Sequence, residues 1–439
     1  MSREDTAIVA KRVDESPADT GEIRALAQSA GYTVVGEVVQ QRDPHPGHEF
    51  GTGAIAELRR EVQECDAGAV VVDNDLDANR AFALADRLPD NTAVRDRKRL
   101  VIDIFGERAA TRRAQLEVRL AELEYELPRA EERAKRGEDV GRQGFKSAGE
   151  SPASQVRAAY KREIKQVEDA LADIESADAN RRADRHAAGF DLVALAGYTN
   201  AGKSTLLRRL ADDHAVEEND RRHADLAGVA ESRDGLFTTL NTTTRRATLG
   251  DRRLLVTDTV GFVSGLPHWL VDSFESTLAS AYRADAVLLV ADATDSVDRL
   301  REKVTTSRDV LADHRDADGG VVPVLNKVDA ASRLDEKRRV VGDLVGDPVC
   351  VSALDGSGLD ALADRLAASL PERETARFSL PQSDATMSFV SWLYDHANTV
   401  DVAHGETVEV EISGRREVVA LARGRADDVG ADTAARRDS

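Results

Sequence analysis

Hydrophobic positions along the chain fall into four successive patterns. Over residues 1–106, short apolar runs at 32–35, 69–72 and 100–104 alternate with stretches at 54–63 and 79–88 whose apolar residues recur at helical spacing. That alternation predicts a small α/β domain. Over 107–186 the period changes. Leu116, Leu120, Leu123 and Leu127 recur near every third or fourth position, and Val156, Ile164, Val167, Leu171 and Ile174 resume the pattern after a glycine-rich gap. Two long helices joined by a loop, an antiparallel helical hairpin, are expected. Over 187–372 apolar strands at 192–196, 254–257, 286–291, 321–325 and 349–351 alternate with helical stretches, which predicts a mostly parallel sheet with helices on both faces. Over 373–439 a small α+β domain is expected. It has one helix at 386–397, strands at 407–412 and 417–422, and a polar, disordered end from residue 423. The expected fold class is α/β, with this mostly parallel sheet domain preceded by the small α/β domain and the helical hairpin and followed by the small α+β domain.

Candidate chemistry sits at the carboxyl ends of the strands in the third part. GYTNAGKST, comprising Gly197, Tyr198, Thr199, Asn200, Ala201, Gly202, Lys203, Ser204 and Thr205, follows the strand DLVALA and precedes the helical TLLRRLADD. This is the G-x-x-x-x-G-K-[ST] pattern in the strand–loop–helix context that it requires. The glycines let backbone N–H groups wrap a phosphate chain, Lys203 is placed to reach the β- and γ-phosphates, and the Ser204 hydroxyl to ligate Mg2+. A second strand runs into Asp258, Thr259, Val260 and Gly261. Here Asp258 is a candidate for holding Mg2+ through water, and the Gly261 N–H for meeting the γ-phosphate. A third strand ends in Asn326, Lys327, Val328 and Asp329, whose last carboxylate can accept two hydrogen bonds from guanine N1 and N2 that adenine cannot offer. A fourth leads into Ser352, Ala353 and Leu354, where a backbone N–H could meet guanine O6. Each motif is weak alone, but all of them in this order predict a GTP-binding, GTP-hydrolysing site, so the third part is expected to be a P-loop GTPase domain.

Between the first two motifs lies GLFTTLNTTTR at 235–245. A threonine there is expected to close over the nucleotide, its hydroxyl on Mg2+ and its N–H on the γ-phosphate. The residues alone leave Thr238, Thr239, Thr242, Thr243 and Thr244 open, with Phe237 beside them. Phe262 follows Gly261, where a water-orienting Gln would be useful, so slow intrinsic hydrolysis is expected unless a partner or a monovalent cation completes the site. Asn200 is suited to help hold K+.

Composition changes this picture in three respects. The net charge of −20, with Asp frequent and Lys scarce relative to Arg, points to a chain adapted to a high-salt interior. Against that background the first hairpin helix, its loop and the start of the second helix carry more Lys and Arg than Asp and Glu. A basic finger reaching an anionic partner is therefore a candidate, with Arg142, Lys146 and the basic residues of 95–99 as phosphate contacts. No apolar run approaches the ~18 residues that a membrane span needs. The start has no export signal, and Cys65 and Cys350 form no metal-ligand or disulfide pattern. A cytoplasmic, monomeric protein without membrane insertion is expected. His45 and His48 are expected in an exposed loop rather than as metal ligands.

Taken together, GYTNAGKST, LFTTLNTTTR, DTVGF, NKVD and SALDGSGL, with GTGAIAEL, DNDLDANRAFALADRL and VRDRKRLVIDIFGERAATRRAQLEVRLAELEYELPR outside the nucleotide motifs, resemble the HflX GTPases of the Obg–HflX group. The version looks archaeal, and its acidity points to a haloarchaeal one. The resemblance covers most of the chain. It implies that Thr239 is the switch threonine, since the family's switch resembles FATLDPTTR, and that Phe262 is a family habit. It also implies association with the large ribosomal subunit, where bacterial relatives split or rescue stalled ribosomes with the hairpin loop near the peptidyl-transferase centre. The chain departs from the family in its hairpin loop, where GRQGFKSAGES keeps Gly149 and Glu150 but lacks the usual Pro and Thr. It departs again in the switch, with Asn241 and Thr242 in place of Asp and Pro. A different class of function, a GTP-sensing assembly factor or scaffold with little turnover, remains the alternative, and an ATP-using enzyme is disfavoured by Asp329.

Overall fold

The structure is a computed structural model that describes residues 5–14, 19–43, 45, 47–137, 151–212, 243–259, 261–262, 283–312 and 320–437. Phe237, Thr238, Thr239 and Thr242 of the switch, Val260, and Arg142, Lys146, Gly149 and Glu150 of the hairpin loop lie outside the described residues. Among those described, the chain forms two compact units, the first ending at Ile174 and the second beginning at Glu175.

The first unit is built on four parallel strands, β1 (Thr6–Val13), β2 (Thr33–Gln41), β3 (Ala69–Val72) and β4 (Ala93–Asp96), in the order β2-β1-β3-β4. Ala7 to Ala10 and Ala69 to Val72 are buried, as near-continuous apolar runs in a parallel sheet must be. Helices α1 (Gly21–Ser29), α2 (Thr52–Glu64) and α3 (Ala78–Ala85) connect the strands. The run 100–104, expected as a strand, lies in α4 (Arg97–Arg108) instead. The Asp96 carboxylate accepts the Arg99 N–H and caps this helix. Its apolar residues Leu100, Val101, Ile102, Ile104 and Phe105 are all buried, so the period that separates helix from strand is hidden. His48 is also buried rather than exposed, its ring stacked on that of His45 at 3.9 Å.

The hairpin helices are α5 (Arg112–Arg136) and α6 (Pro152–Ala187). Thr111 caps α5 through the Ala114 N–H, and Gly137, at φ 76°, ends it in the left-handed conformation that glycine adopts without strain. Arg119 pairs with Glu163, and Arg157 with Glu131 near the other end, so the two helices run antiparallel. The Arg129 guanidinium packs 3.5 Å from the Tyr125 ring centroid and donates to Asp96 at 3.0 Å, fastening α5 to the β4–α4 corner. Burial pushes the Asp96 carboxyl up, with Arg129 opposing the shift. Among the cations of 95–99, Arg97 is held by Asp73 and Glu22, Lys98 by Asp75, and Arg99 by Asp103. Those charges are spent inside the unit and are poor candidates for phosphate contacts.

The second unit centres on a six-stranded sheet of order β10-β9-β8-β5-β7-β6. Its strands are β5 (Phe190–Gly197), β6 (Thr243–Leu249), β7 (Arg252–Asp258), β8 (Ala286–Asp292), β9 (Gly320–Asn326) and β10 (Val349–Cys350). All are parallel except β6, an antiparallel edge strand that was not foreseen. Val193, Leu195, Val256, Leu288 and Val324 pack against Leu206 and Leu207 of α7 (Lys203–Asp212) and Leu362 and Leu366 of the Leu359–Ser369 helix. Strand order reverses beside β5, which places the expected ligand crevice at its carboxyl end.

The last part is a three-stranded antiparallel sheet, β11 (Glu374–Pro381), β13 (Thr407–Gly414) and β12 (Thr399–His404), packed on the helices Asp384–His396 and Arg416–Arg437. Here the expectations need correction twice. Residues 417–422, read as a strand, begin the last helix, and the supposedly disordered end continues it to Arg437. Val418, Val419, Ala422 and Ala426 lie on one helical face against the sheet, a period of 3.6 that a six-residue window cannot reveal. Strand β12 takes the place assigned to 417–422. Among the described residues, no helix is long and apolar enough to cross a membrane.

Candidate active site

Strand β5 delivers the P-loop to the N-terminus of α7. Gly197 has φ +139°, and a Cβ there would lie 2.2 Å from the Val290 carbonyl oxygen, so the loop passes β8 at a distance only glycine permits. Asn200 takes φ +64°, which asparagine tolerates better than most side chains. Lys203 is 6% exposed and its ammonium donates to the Gly197 and Tyr198 carbonyls, both at 3.0 Å. Burial pushes its pKa down to about 8, with the neighbouring Asp258 carboxylate opposing the shift. An anionic ligand at this position would restore the full charge.

Asp258 ends β7 and is 1% exposed; its Oδ2 accepts the Ser204 hydroxyl at 2.5 Å. A hydroxyl and a carboxylate side by side are hard oxygen donors of the kind Mg2+ takes, and the pair fits that ion, with water and phosphate oxygens completing its shell. Among the described residues no group of three or more His, Cys, Asp or Glu could hold a metal by itself. Thr259 donates to the Leu195 carbonyl at 2.6 Å, which fastens the start of the DTVGF segment to β5. Gly261 and Phe262 then run beside the P-loop. The Phe262 N–H donates to Gly197 O at 3.1 Å and the Thr199 N–H to Phe262 O at 2.8 Å. A Cβ on Gly261 would meet Thr199 Cα at 2.7 Å and Lys203 Nζ at 3.0 Å, so this glycine lies against the ammonium. Phe262 is buried, and its ring offers no group that could orient a water.

The base-side motifs divide into bracing and exposed groups. Asn326, 1% exposed, donates to Ala201 O at 2.9 Å and accepts the Ala353 N–H at 3.0 Å, stapling the P-loop to the 352–354 loop. Lys327 donates to Asn200 O at 2.7 Å and to Asp292 Oδ2 at 2.6 Å. Asp329, by contrast, is exposed on a short turn (Val328–Ala330) and has no partner among the described residues, which leaves its carboxylate available to a ligand. Ser352 is fully buried, and its hydroxyl accepts the Asp355 N–H. Thr205 lies in the first turn of α7.

Sequence reading missed Asp292, which ends β8 as Asp258 ends β7 and holds both Lys327 and the Thr294 hydroxyl and N–H. The signal was present as an apolar strand closing on an aspartate. Arg209 was missed with no such signal. Lys303, which pairs with Asp295 and lies 5.0 Å from the Tyr198 ring centroid, braces the outer side of the P-loop.

Residues 18–106 match a family described as GTP-binding GTPase N-terminal, 108–185 one described as GTP-binding GTPase Middle Region, and 192–327 one described as 50S ribosome-binding GTPase. A Thermococcus kodakarensis protein named GTPase HflX is 35% identical over 402 residues, which cover 89% of this chain and 87% of its own. One of the same name from Thermofilum pendens is 34% identical over 410 residues, 92% of each chain. Among solved structures, a GTP-binding protein from Sulfolobus solfataricus in complex with GDP aligns with 82% of this chain and 97% of its own at 22% identity, with a TM-score of 0.44.

Proposed function

Since this chain belongs to the HflX GTPase family, and so binds GTP and hydrolyses it, we propose that its nucleotide state governs association with the large ribosomal subunit. Release or splitting of stalled ribosomes is the outcome we assign to that cycle. The observation that carries the catalytic reading is the Ser204–Asp258 contact beside a buried Lys203. In this reading Gly197, Gly202 and the start of α7 surround the phosphates, and Lys203 neutralises the β/γ oxygens as charge builds on them. Ser204 and Asp258 hold Mg2+, and Thr239 joins them from the switch when GTP is bound. Bound Mg2+ supplies charge neutralisation at the phosphate oxygens. Asp329 reads N1 and N2 of guanine. Asn200 is the candidate for a K+ ligand, and the domain limits are taken at 106, 186 and 372.

Phe262 gives the cycle its dependence on a partner. With no side chain there to orient the attacking water, chemistry waits until the ribosome, or K+, completes the site. The family description matched by residues 192–327 and the excess of Lys and Arg over the first hairpin helix, the loop and the start of the second helix support an RNA-rich partner. The decisive assay is GTP hydrolysis by the purified protein in molar KCl, with and without large subunits from a salt-adapted archaeon, beside NaCl and Lys203→Ala controls. Stimulation of about tenfold or more by large subunits, lost in the variant, is expected. A rate that follows K+ but ignores ribosomes would remove the ribosome as activator. Tight GTP binding without turnover under any condition would point to the scaffold instead.

A further inference from the structure

The 352–354 loop presents three backbone N–H groups, and the structure accounts for two of them. The Ser352 N–H donates to Ser357 O at 2.9 Å and the Ala353 N–H to Asn326 Oδ1 at 3.0 Å. Among the described residues the Leu354 N–H has no partner, and Leu354 itself is 74% exposed. If this loop meets a base, Leu354 supplies the donor. What aims it comes from another element. Arg209, on α7, donates through Nε to Ala353 O at 3.1 Å and through Nη2 to Leu354 O at 2.6 Å. The Ala353 carbonyl and the Leu354 N–H belong to one trans peptide plane and point in opposite directions. Fixing the carbonyl on the guanidinium therefore fixes the N–H away from it. The fork geometry of arginine, with its donors in one plane, makes this a two-point hold whose direction is fixed by the guanidinium plane, which the freely rotating ammonium of a lysine does not impose.

We propose that Arg209 is a positioning residue for guanine selectivity, holding the Ala353 and Leu354 carbonyls so that the Leu354 N–H meets O6 of the bound base. The proposal rests on the guanine-site reading given above. It explains how the helix that begins at the phosphates can also set the base end of the site. Adenine carries an amino group at C6, so a fixed N–H there faces a donor and rejects it, while Asp329 reads N1 and the 2-amino group farther along the same edge of the base. Arg209 touches no substrate in this arrangement; it acts through the loop.

The test measures affinities of the full chain in molar KCl for three nucleotides: GDP, 6-thio-GDP, which replaces O6 by a weak acceptor, and IDP, which lacks the 2-amino group. The wild-type protein is expected to bind 6-thio-GDP about tenfold and IDP at least tenfold more weakly than GDP. In Arg209→Gln the thio penalty should shrink to within about twofold while the IDP penalty persists, and GDP affinity should fall by a similar factor of about ten. Arg209→Lys, which keeps the charge but not the planar fork, should behave likewise and covers the case in which the glutamine variant fails to fold. A variant that binds GDP and retains the whole thio penalty would overturn the proposal, as would a wild-type protein indifferent to sulfur at that position. Indifference of the wild type to IDP would instead sink the guanine-site reading on which the proposal rests.

Discussion

Two sheets in this chain, one parallel and one parallel but for its β6 edge, treat their carboxyl edges in opposite ways. In the first unit, the charges at the ends of β1, β3 and β4 close on one another. Lys11 and Arg97 share Asp73, Arg97 also holds Glu22, and Arg12 and Arg80 share the buried Glu49. In the second unit, the buried Lys203 donates to two carbonyls, its pKa pushed down to about 8, and Asp329 projects a carboxylate with no partner among the described residues. The same edge of the same kind of sheet is in one case a finished ion-pair network and in the other, beside the closed Lys327–Asp292 pair, keeps groups whose best partners come from outside. A ligand site of this fold is recognised by unspent polarity, and the mere presence of charge is a poor guide.

That contrast is broken most directly by a matched pair of substitutions. Lys203→Ala is expected to lower GTP hydrolysis by about a hundredfold or more while leaving thermal stability nearly unchanged. The carbonyls it abandons keep other donors, the Phe262 N–H for Gly197 O and the Ala201 N–H for Tyr198 O. Arg97→Met should do the reverse. It removes the guanidinium that Asp73 and Glu22 share in a partly buried site, leaving Asp73 to Lys11, and should cost about 2–3 kcal/mol in chemical denaturation, with little effect on turnover. If Lys203→Ala unfolds the protein, or Arg97→Met abolishes hydrolysis without loss of stability, the distinction between the two edges is wrong.

A narrower effect is expected at the base. Asp329→Asn should weaken GTP binding by about a hundredfold and narrow the preference over ATP, as seen in competition binding. Smaller still is a pH effect. Lys203 binds phosphate as the ammonium, so GDP affinity should hold below pH 8 and fall above it, by up to about tenfold per unit, with proton uptake on binding in calorimetry near pH 8.5. For folding the sign is opposite. A lysine depressed from 10.5 to about 8 burdens the folded state below pH 8, and that burden lifts between the two values. Affinity that is flat from pH 7 to 9.5 would show that Lys203 in the nucleotide-free protein does not titrate near 8. Least of all should follow from Arg119→Ala, an exposed pair with Glu163 on the hairpin, where no more than about 1 kcal/mol of stability is at stake.

The sequence made the phosphate end of the site legible because its chemistry is written locally. Gly197, Gly202, Lys203 and Ser204 fall within eight positions, and the main chain does most of the work. The base end was half legible. Asp329 follows a strand and declares itself, whereas Arg209 acts on carbonyls 144 and 145 positions away, and no local pattern encodes that pairing. Expectation and structure part for a similar reason in runs such as 100–104 and 417–422. Both are apolar and short, and they become helices because of what precedes or follows them, the Asp96 cap in one case and Ala426 one turn further on in the other. Strand β1 escaped notice because its Lys11 and Arg12 end an otherwise apolar run with charges that only the folded edge pairs.

Arg415, just after β13, donates to Asp191 at 2.5 Å and to Asp285 at 2.8 and 3.1 Å, and these aspartates stand at or just before the feet of β5 and β8. His186 lies 3.4 Å from Asp285, whose carboxyl is pushed down to about 2 with His186 and Arg415 outweighing its burial. The last segment of the chain is thus a counterion for the strands that carry the nucleotide loop. Anyone wishing to isolate a minimal GTP-hydrolysing fragment by cutting near residue 372 would remove the guanidinium that the buried Asp191 and the half-buried Asp285 share. Such a fragment should be rescued by neutralising one of them, as in Asp285→Asn, more readily than by lengthening its ends.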